Sequence, residues 1–491
     1  MNLSWFSLFH LYLLLQNSLV DLRVAATTPS GDVNVVIVGA GIGGTSCAYY
    51  LKKFLPNVDT VILEADSRVG GKVFDVHIDG KLFRIGTCAW TGNQRYIKEL
   101  VTEMGLDRTD KDFDGEPNFA SPFSFTVWNG THLIDAREIA AAHEESMNVL
   151  GNGTVDYYFR VEKNYELRGQ DTFTGMAEFL SYGDLGQWAT LEGRQYYTDI
   201  GVDLELQDLA MGPRQYLFSG QGMGSSVFSL YTHMATDMGR GQVVGGNLKL
   251  VKSLVEASGA KVLLNSTAKA VEKRLNGFNV VYQSDGKDYD MHADHVIIAA
   301  PIEHTGIDFT NFDDPVTQPA RQWDPLYRYI VTAEGVNMDY FTTDPDYDVP
   351  GFIAGVPGKS DGFVLCNLEA TVNDTMYYSL YTTRDIINDL QDILFNPSIK
   401  FTHYWPDGFN LLPPRDVDVA PYQDVVLSPR LYNIGVMSDV MDQMEGSIIA
   451  ARNAALLIRK DIQSVSVANT FGSPVFMIFG VFTKVFVSLP V

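Results

Sequence analysis

The sequence predicts an α/β protein in which a parallel-sheet nucleotide-binding domain is interrupted by an inserted α+β domain. Three observations predict it. A β-branched run, Val35 to Val38, leads into glycines at G-x-G-x-x-G spacing: Gly39, Gly41 and Gly44. A second apolar run, Thr60 to Leu63, ends in Glu64, twenty residues past Gly44. Strand signals of the same kind return near Lys261, His295 and Arg430, after long stretches of different composition.

Each part has a physical reason. Val35 to Val38 reads as a short strand covered on both faces. Gly39 permits a tight turn, Gly41 lets backbone approach a pyrophosphate, and Gly44 lets the following helix pack close to the strand. Gly43 lies in the same loop. The helix N-terminus then presents free N–H groups and a positive dipole end to phosphate. Glu64 stands where a carboxylate accepts hydrogen bonds from ribose hydroxyls. These are the marks of a Rossmann-like unit. The next stretch, Glu64 to Lys72, carries Arg68, Gly70-Gly71 and Lys72. It resembles the second fingerprint of FAD enzymes of the glutathione-reductase and amine-oxidase type. The plainer reading is a glycine-rich turn in an ordinary α/β domain, but strand, loop, helix, acid and glycine pair all agree on the cofactor.

The chain has 491 residues, 46% hydrophobic and 20% charged, enough for two or more cores. Sixty acidic residues against 36 basic ones give a net charge of −24, which repels nucleic acid and anionic membrane. No nucleic-acid partner is expected. Three cysteines, Cys47, Cys88 and Cys366, do not make a disulfide framework. Cys47 is expected to be buried in the cofactor helix; a Cys88–Cys366 bridge, or attachment of a flavin through Cys88, is left open. No H-E-x-x-H or C-x-x-C occurs, and His292 and His295 are expected to point to opposite faces, so no metal site is expected.

In chain order, residues 1–26 read as a secretory signal, apolar from Leu3 to Val20 with small residues at Val24-Ala-Ala26. The rival, an uncleaved anchor, is short for a span. Four N-glycosylation sequons, at Asn129, Asn152, Asn265 and Asn373, favour the secretory pathway. The cofactor domain is expected in three pieces, 32–105, 240–310 and 426–462. The substrate domain takes 106–239 and 311–425. In its first part, Arg214 to Met234 reads as a core helix entered through a glycine turn, or as the wall of an apolar pocket. Gln221, Tyr231 and His233 are the pocket candidates, and no residue is assigned a catalytic role. In its second part, Tyr327 to Thr332 and Met376 to Tyr381 are expected strands. His403 to Asp407 adds aromatics that either approach the site or serve the core. Arg430 to Gly435 reads as a strand ending at a glycine. A small-residue helix follows near Met444-Glu445, and the resemblance to FAD enzymes implies that its N-terminus is aimed at the flavin. Gly435, Met444 and Glu445 are therefore expected to bind cofactor, as is Gly86. The tail, 463–491, is strongly apolar from Val475 to Leu489 but carries Lys484. A packed strand, a membrane-surface segment and a GPI signal all remain open for it.

Beyond the cofactor fingerprint, the chain resembles the prenylcysteine oxidase family, thioether oxidases also called prenylcysteine lyases. The resemblance runs through most of the chain after the signal. It rests on VVIVGAGIGGTSCAYYL, VVGGNLKLVKSL, RQWDPLYRYIVT and SPRLYNIGVMSDVMDQMEGSIIAARNAALL, with FSGQ at Phe218 to Gln221. Lys72 departs from the usual Arg. Arg84-Ile-Gly-Thr87 departs from an acidic residue followed later by Gly-Gly.

The resemblance implies FAD as cofactor, a farnesyl- or geranylgeranylcysteine substrate, molecular oxygen as acceptor, and a lysosomal or secreted glycoprotein acting in the breakdown of prenylated proteins. The carbon between sulfur and alkene would lose hydride to the flavin. Water would add, and the hemithioacetal would collapse to cysteine and an isoprenoid aldehyde, with hydrogen peroxide as the other product. Two alternatives stand: another oxidase of amine-oxidase type, and a non-catalytic secreted lipid-binding homologue.

Overall fold

The computed structural model describes residues 33–87, 89–110, 125–317, 321–342, 347–412 and 422–471, with backbone alone at 237–238 and 465–471. A six-stranded sheet is its foundation. β1 (Val33–Val38) lies between β2 (Val58–Leu63) and β13 (His295–Ile298), parallel to both; Val38 is opposite Leu63 and Ile298. β9 (Lys261–Leu263) extends one side, and β23 (Leu431–Asn433) and antiparallel β22 (Val426–Ser428) the other. Val35 and Ile37 face a helical layer containing α1 (Ile42–Phe54), while Val36 and Val38 face a second sheet. That sheet comprises β10 (Ser266–Arg274), β11 (Gly277–Ser284), β12 (Lys287–Ala293) and β14 (Asp308–Thr310). Burial on both faces explains the unbroken β-branched run.

The substrate side is a seven-stranded mixed sheet. Its order is β21 (Ser398–Asn410), β15 (Trp323–Ala333), β19 (Thr375–Thr382), β18 (Phe363–Val372), β17 (Phe352–Gly355), β6 (Thr126–Trp128) and β7 (Leu133–Asp135). β6 and β7 come from the first insertion, where the sequence carries no FAD-type strand signal. Each has three residues, too few to show a period; β6 is recruited by parallel pairing with β17, Ile353 opposite Thr126.

Two further expectations change. Arg214 to Met234 is not one helix. It is the end of α4 (Gly212–Ser219) and all of α5 (Val227–Met234). Gly220 between them has φ of 66°, and the Phe409 ring fills the space a Cβ would take. The last helix, α7 (Met444–Phe471), runs nine residues past the expected domain end at 462, so the apolar tail does not begin there as a separate segment. His292 and His295 lie on different strands, His292 more than half exposed and His295 buried.

Candidate active site

The glycine loop is built by close approach. A Cβ on Gly44 would lie 2.0 Å from the Gly39 carbonyl oxygen, so only glycine lets α1 start this near β1. α1 begins at Gly41 with no side-chain cap and no acid in its first turn. Its N-terminal N–H groups are therefore left for an anion. Gly41 bridges Gly70 backbone to backbone, and Gly71, at φ of 55°, lies against the Gly41 Cα. Gly43 faces Ile434 and Ser447, the latter in the first turn of α7. Glu64 sits at the end of β2, its carboxylate accepting from Ala40 N at 2.7 Å and Asp66 N at 2.8 Å. Arg68 lies 3.8 Å over the Phe74 ring and donates to Gly71 O; its Nη1 is sealed and unpartnered. An uncapped helix start, a glycine cradle, an acid at the strand end and an orphaned guanidinium nitrogen fit a dinucleotide cofactor.

Lys72 continues this loop. Its Nζ donates to Gly408 O at 3.2 Å and lies 4.4 Å from the centre of the Trp323 ring, tying the loop to β21 and β15. Gly86 packs on the Lys72 carbonyl so closely that a Cβ would sit 1.7 Å from its oxygen. Gly435 follows β23, and its carbonyl accepts from Arg321 Nη1 at 2.8 Å. Arg321 also makes a bidentate pair with Glu303, both contacts 2.6 Å, and Trp323 Nε1 donates to the same carboxylate. Although burial opposes it, Arg321 draws the Glu303 carboxyl below its ordinary value. Neither Arg321 nor Glu303 was legible as part of the site, because they meet only when the turn after β13 folds against the segment before β15.

Glu445 is a correction. Expected at the cofactor, it is fully buried and caps α2 (Arg95–Glu103) instead. Its two oxygens accept from Tyr96 N and Ile97 N, both at 2.8 Å, and Tyr165 Oη donates to it. The α2 N-terminus has no side-chain cap of its own, so a distant carboxylate supplies one. Met444 is likewise core, 4% exposed and packed in the main apolar cluster.

The three pocket candidates separate. Gln221 is a clamp: its Nε2 donates to Asn410 O and its Oε1 accepts from Leu412 N, fixing the end of β21. Tyr231 belongs to a buried aromatic cluster with Tyr157, Trp188, Tyr196 and Tyr197, and closes on Gly153 of α3 (Glu144–Arg168). It therefore lines the helical core, not a pocket. His233 stacks on Phe218 at 5.6 Å, its Nδ1 2.8 Å from Gln215 Oε1; burial and Arg214 lower its pKa to about 3. The aromatics of β21 do approach the cofactor loop, since His403 packs edge-on against Phe74.

Asn152, Asn265 and Asn373 are exposed, and Asn129 is partly buried in the β6–β7 turn. Cys47 and Cys366 are buried free thiols; Cys88, and with it the expected bridge or flavin link, lies outside the described residues. So do the signal segment and the apolar run Val475 to Leu489. Among the described residues no three ligands gather for a metal, and no helix is long and apolar enough to cross a membrane.

The family described as flavin containing amine oxidoreductase matches residues 42–340. Prenylcysteine oxidase 1 of Bos taurus is 24% identical over 467 residues, covering 86% of this chain and 87% of the relative. Farnesylcysteine lyase of Arabidopsis thaliana is 20% identical over 458 residues, covering 86% and 87%. Among solved structures, a triple mutant of putrescine oxidase made in a redesign of cofactor binding superposes with a TM-score of 0.56 at 16% identity, covering 87% of this chain and 99% of that one. The FAD-binding α/β fold and the cofactor follow from the family and these neighbours.

Proposed function

The chain belongs to the flavin containing amine oxidoreductase family, and we propose that within it the chain oxidatively cleaves the thioether of prenylcysteines. One observation carries the choice of substrate. The similarity to prenylcysteine oxidase 1 and farnesylcysteine lyase spans 86% of the chain, well beyond the 42–340 that the wider family shares. It therefore includes the inserted segments that shape the substrate side. Those segments meet in a closed apolar cluster, where Tyr216 and Leu217 of α4 pack against Val364, Leu365 and Tyr381 of the sheet.

Bound FAD supplies the two-electron oxidation and the route to oxygen. The chain's own tasks are to hold the cofactor through Gly41, Gly71, Glu64 and Arg68, and to fix the substrate sheet against it through Lys72 and Arg321. The reading includes passage through the secretory pathway to lysosome or medium, supported by the signal-like start and the surface position of the sequons. The test is anaerobic addition of farnesylcysteine to purified flavin-loaded protein. Bleaching of the flavin band, then peroxide on admitting oxygen, is the expected result. An intact flavin that ignores farnesylcysteine but is bleached by an amine would replace this reading with an amine oxidase. A protein that takes up no FAD would replace it with a lipid binder.

A further inference from the structure

The cofactor cradle crosses the ends of successive strands. Gly41, just past the end of β1, offers the α1 N-terminus to the pyrophosphate, and Glu64, at the end of β2, offers its carboxylate to the ribose. Neighbouring strands stand about 4.8 Å apart. FAD joins pyrophosphate, ribose and adenine in that order, so the adenine continues in the same direction, away from β1 and toward β9. The end of β9 is tied directly to the ribose acid. Glu64 N donates to Leu263 O at 2.9 Å, Ser266 N to Glu64 O at 2.8 Å, and Asn265 N to Asp66 O at 3.0 Å. Leu264, an apolar side chain 37% exposed, lies among these contacts.

Asn265 opens the sequon Asn265-Ser266-Thr267 at this place. Its backbone is left-handed, with φ of 50°, a conformation that asparagine tolerates better than most residues. The residue is exposed, and among the described residues no hydrogen bond holds its side chain. An amide so placed can carry a sugar without displacing a contact of the fold. The other sequon in a left-handed turn, at Asn373 with φ of 48°, joins β18 to β19 in the substrate sheet instead.

We infer that an N-linked glycan on Asn265 stands over the adenosine end of the cofactor site and slows both the entry and the exit of FAD. This rests on passage through the secretory pathway, proposed above. The sugar comes from an activated donor, a glycosyl diphosphate. Asn265 Nδ2 forms the C–N bond, the C–O bond to the diphosphate breaks, the diphosphate leaves with the electron pair, and one amide proton goes to solvent. The glycan is bulky and hydrated, and its root is one strand spacing from the segment Glu64 to Asp66. It crowds the rim that the adenosine must pass, yet neither makes nor removes a bond to the cofactor. Both rates therefore fall while the affinity changes little.

The test uses holoenzyme secreted from a glycosylating host, with glycopeptide mapping of the four sequons. FAD release is read from the flavin fluorescence that appears on dilution, and uptake from its loss when flavin-free protein meets FAD. Thr267→Val keeps Asn265 and removes the hydroxyl that the sequon needs. It is expected to speed both rates about tenfold with Kd within about threefold of wild type. Endoglycosidase treatment of the wild-type holoenzyme is expected to act in the same direction, and serves if Thr267→Val does not fold. Thr375→Val, which removes the sugar from Asn373, is expected to leave both rates unchanged. Wild type and Thr267→Val made without sugars in a bacterial cytosol are expected to exchange FAD equally fast. An occupied Asn265 whose sugar can be removed with no change in either rate overturns the proposal. So does an unoccupied Asn265 beside other occupied sequons, an equal effect of Thr375→Val, or the same difference in the sugar-free pair, which marks the valine rather than the glycan. If none of the four sequons carries sugar, the secretory reading itself fails.

Discussion

Tyr165 Oη donates to Glu445 Oε1 at 2.5 Å, so the long helix of the inserted region grips the residue that opens α7. The same carboxylate caps α2, and three separate parts of the chain meet on one buried acid. Burial pushes the Glu445 carboxyl above its ordinary value, against the pull of its three donors.

Replacing Glu445 by Ala leaves two buried N–H groups and a phenol without an acceptor. The cost is expected at about 2–4 kcal/mol. Urea unfolding of the flavin-free protein reads it; an unchanged midpoint would show that water replaces the cap.

Gly41 and Gly44 are expected to fail differently. A Cβ on Gly44 collides with Gly39 O, so Gly44→Ala is expected to unfold the cofactor domain. A Cβ on Gly41 meets nothing nearer than 3.9 Å, so Gly41→Ala is expected to melt like wild type without FAD but to bind FAD poorly. Melting curves and the flavin-to-protein absorbance ratio decide. Normal flavin content in Gly41→Ala would mean that the pyrophosphate lies elsewhere.

Glu64→Ala removes the acceptor at the end of β2. FAD affinity is expected to fall about tenfold or more, as for one charge-assisted hydrogen bond. Titration of flavin-free protein with FAD measures it, and an unchanged Kd would place the ribose away from Glu64.

His143 lies between Asp203 at 2.9 Å and Glu205 at 3.0 Å. The bond to Glu205, opposed by desolvation and aided by Asp203, raises its pKa above the ordinary imidazole value. A raised folded value stabilises the fold below the unfolded pKa of about 6.5, and the contribution is lost as pH rises through the folded value. His143→Gln is therefore expected to lower Tm most in mildly acidic buffer, and the gap to wild type should close in alkaline buffer. A gap independent of pH would mean that packing, not charge, is what the residue supplies.

The glycine loop, Glu64 and the strands beginning near Val35, Lys261, His295 and Arg430 were legible because each is a local pattern. β-branched runs mark buried strands, and G-x-G-x-x-G marks a turn that no other residues can make. The resemblance to a flavoprotein family was legible for the same reason. Residues whose role depends on a distant partner were not. Glu445 looked like a cofactor ligand because its helix points the right way in sequence. Only the fold reveals that α2 lacks a cap of its own. Tyr231 sat in a plausible pocket wall until α3 closed on it through Gly153.

By itself, then, the sequence determined the cofactor unit, its interruption by other material, and the family, since these are written in short-range spacing. Tertiary structure alone decided that β6 and β7 join a sheet made mostly by residues more than two hundred positions later. It alone set Arg321 on Gly435, Lys72 on Gly408, and Gln215 against His233. Such contacts depend on where chain segments cross, and no local preference of the backbone encodes that. It is fixed by the joint burial of apolar faces from several segments and by the need to pair every polar group trapped between them.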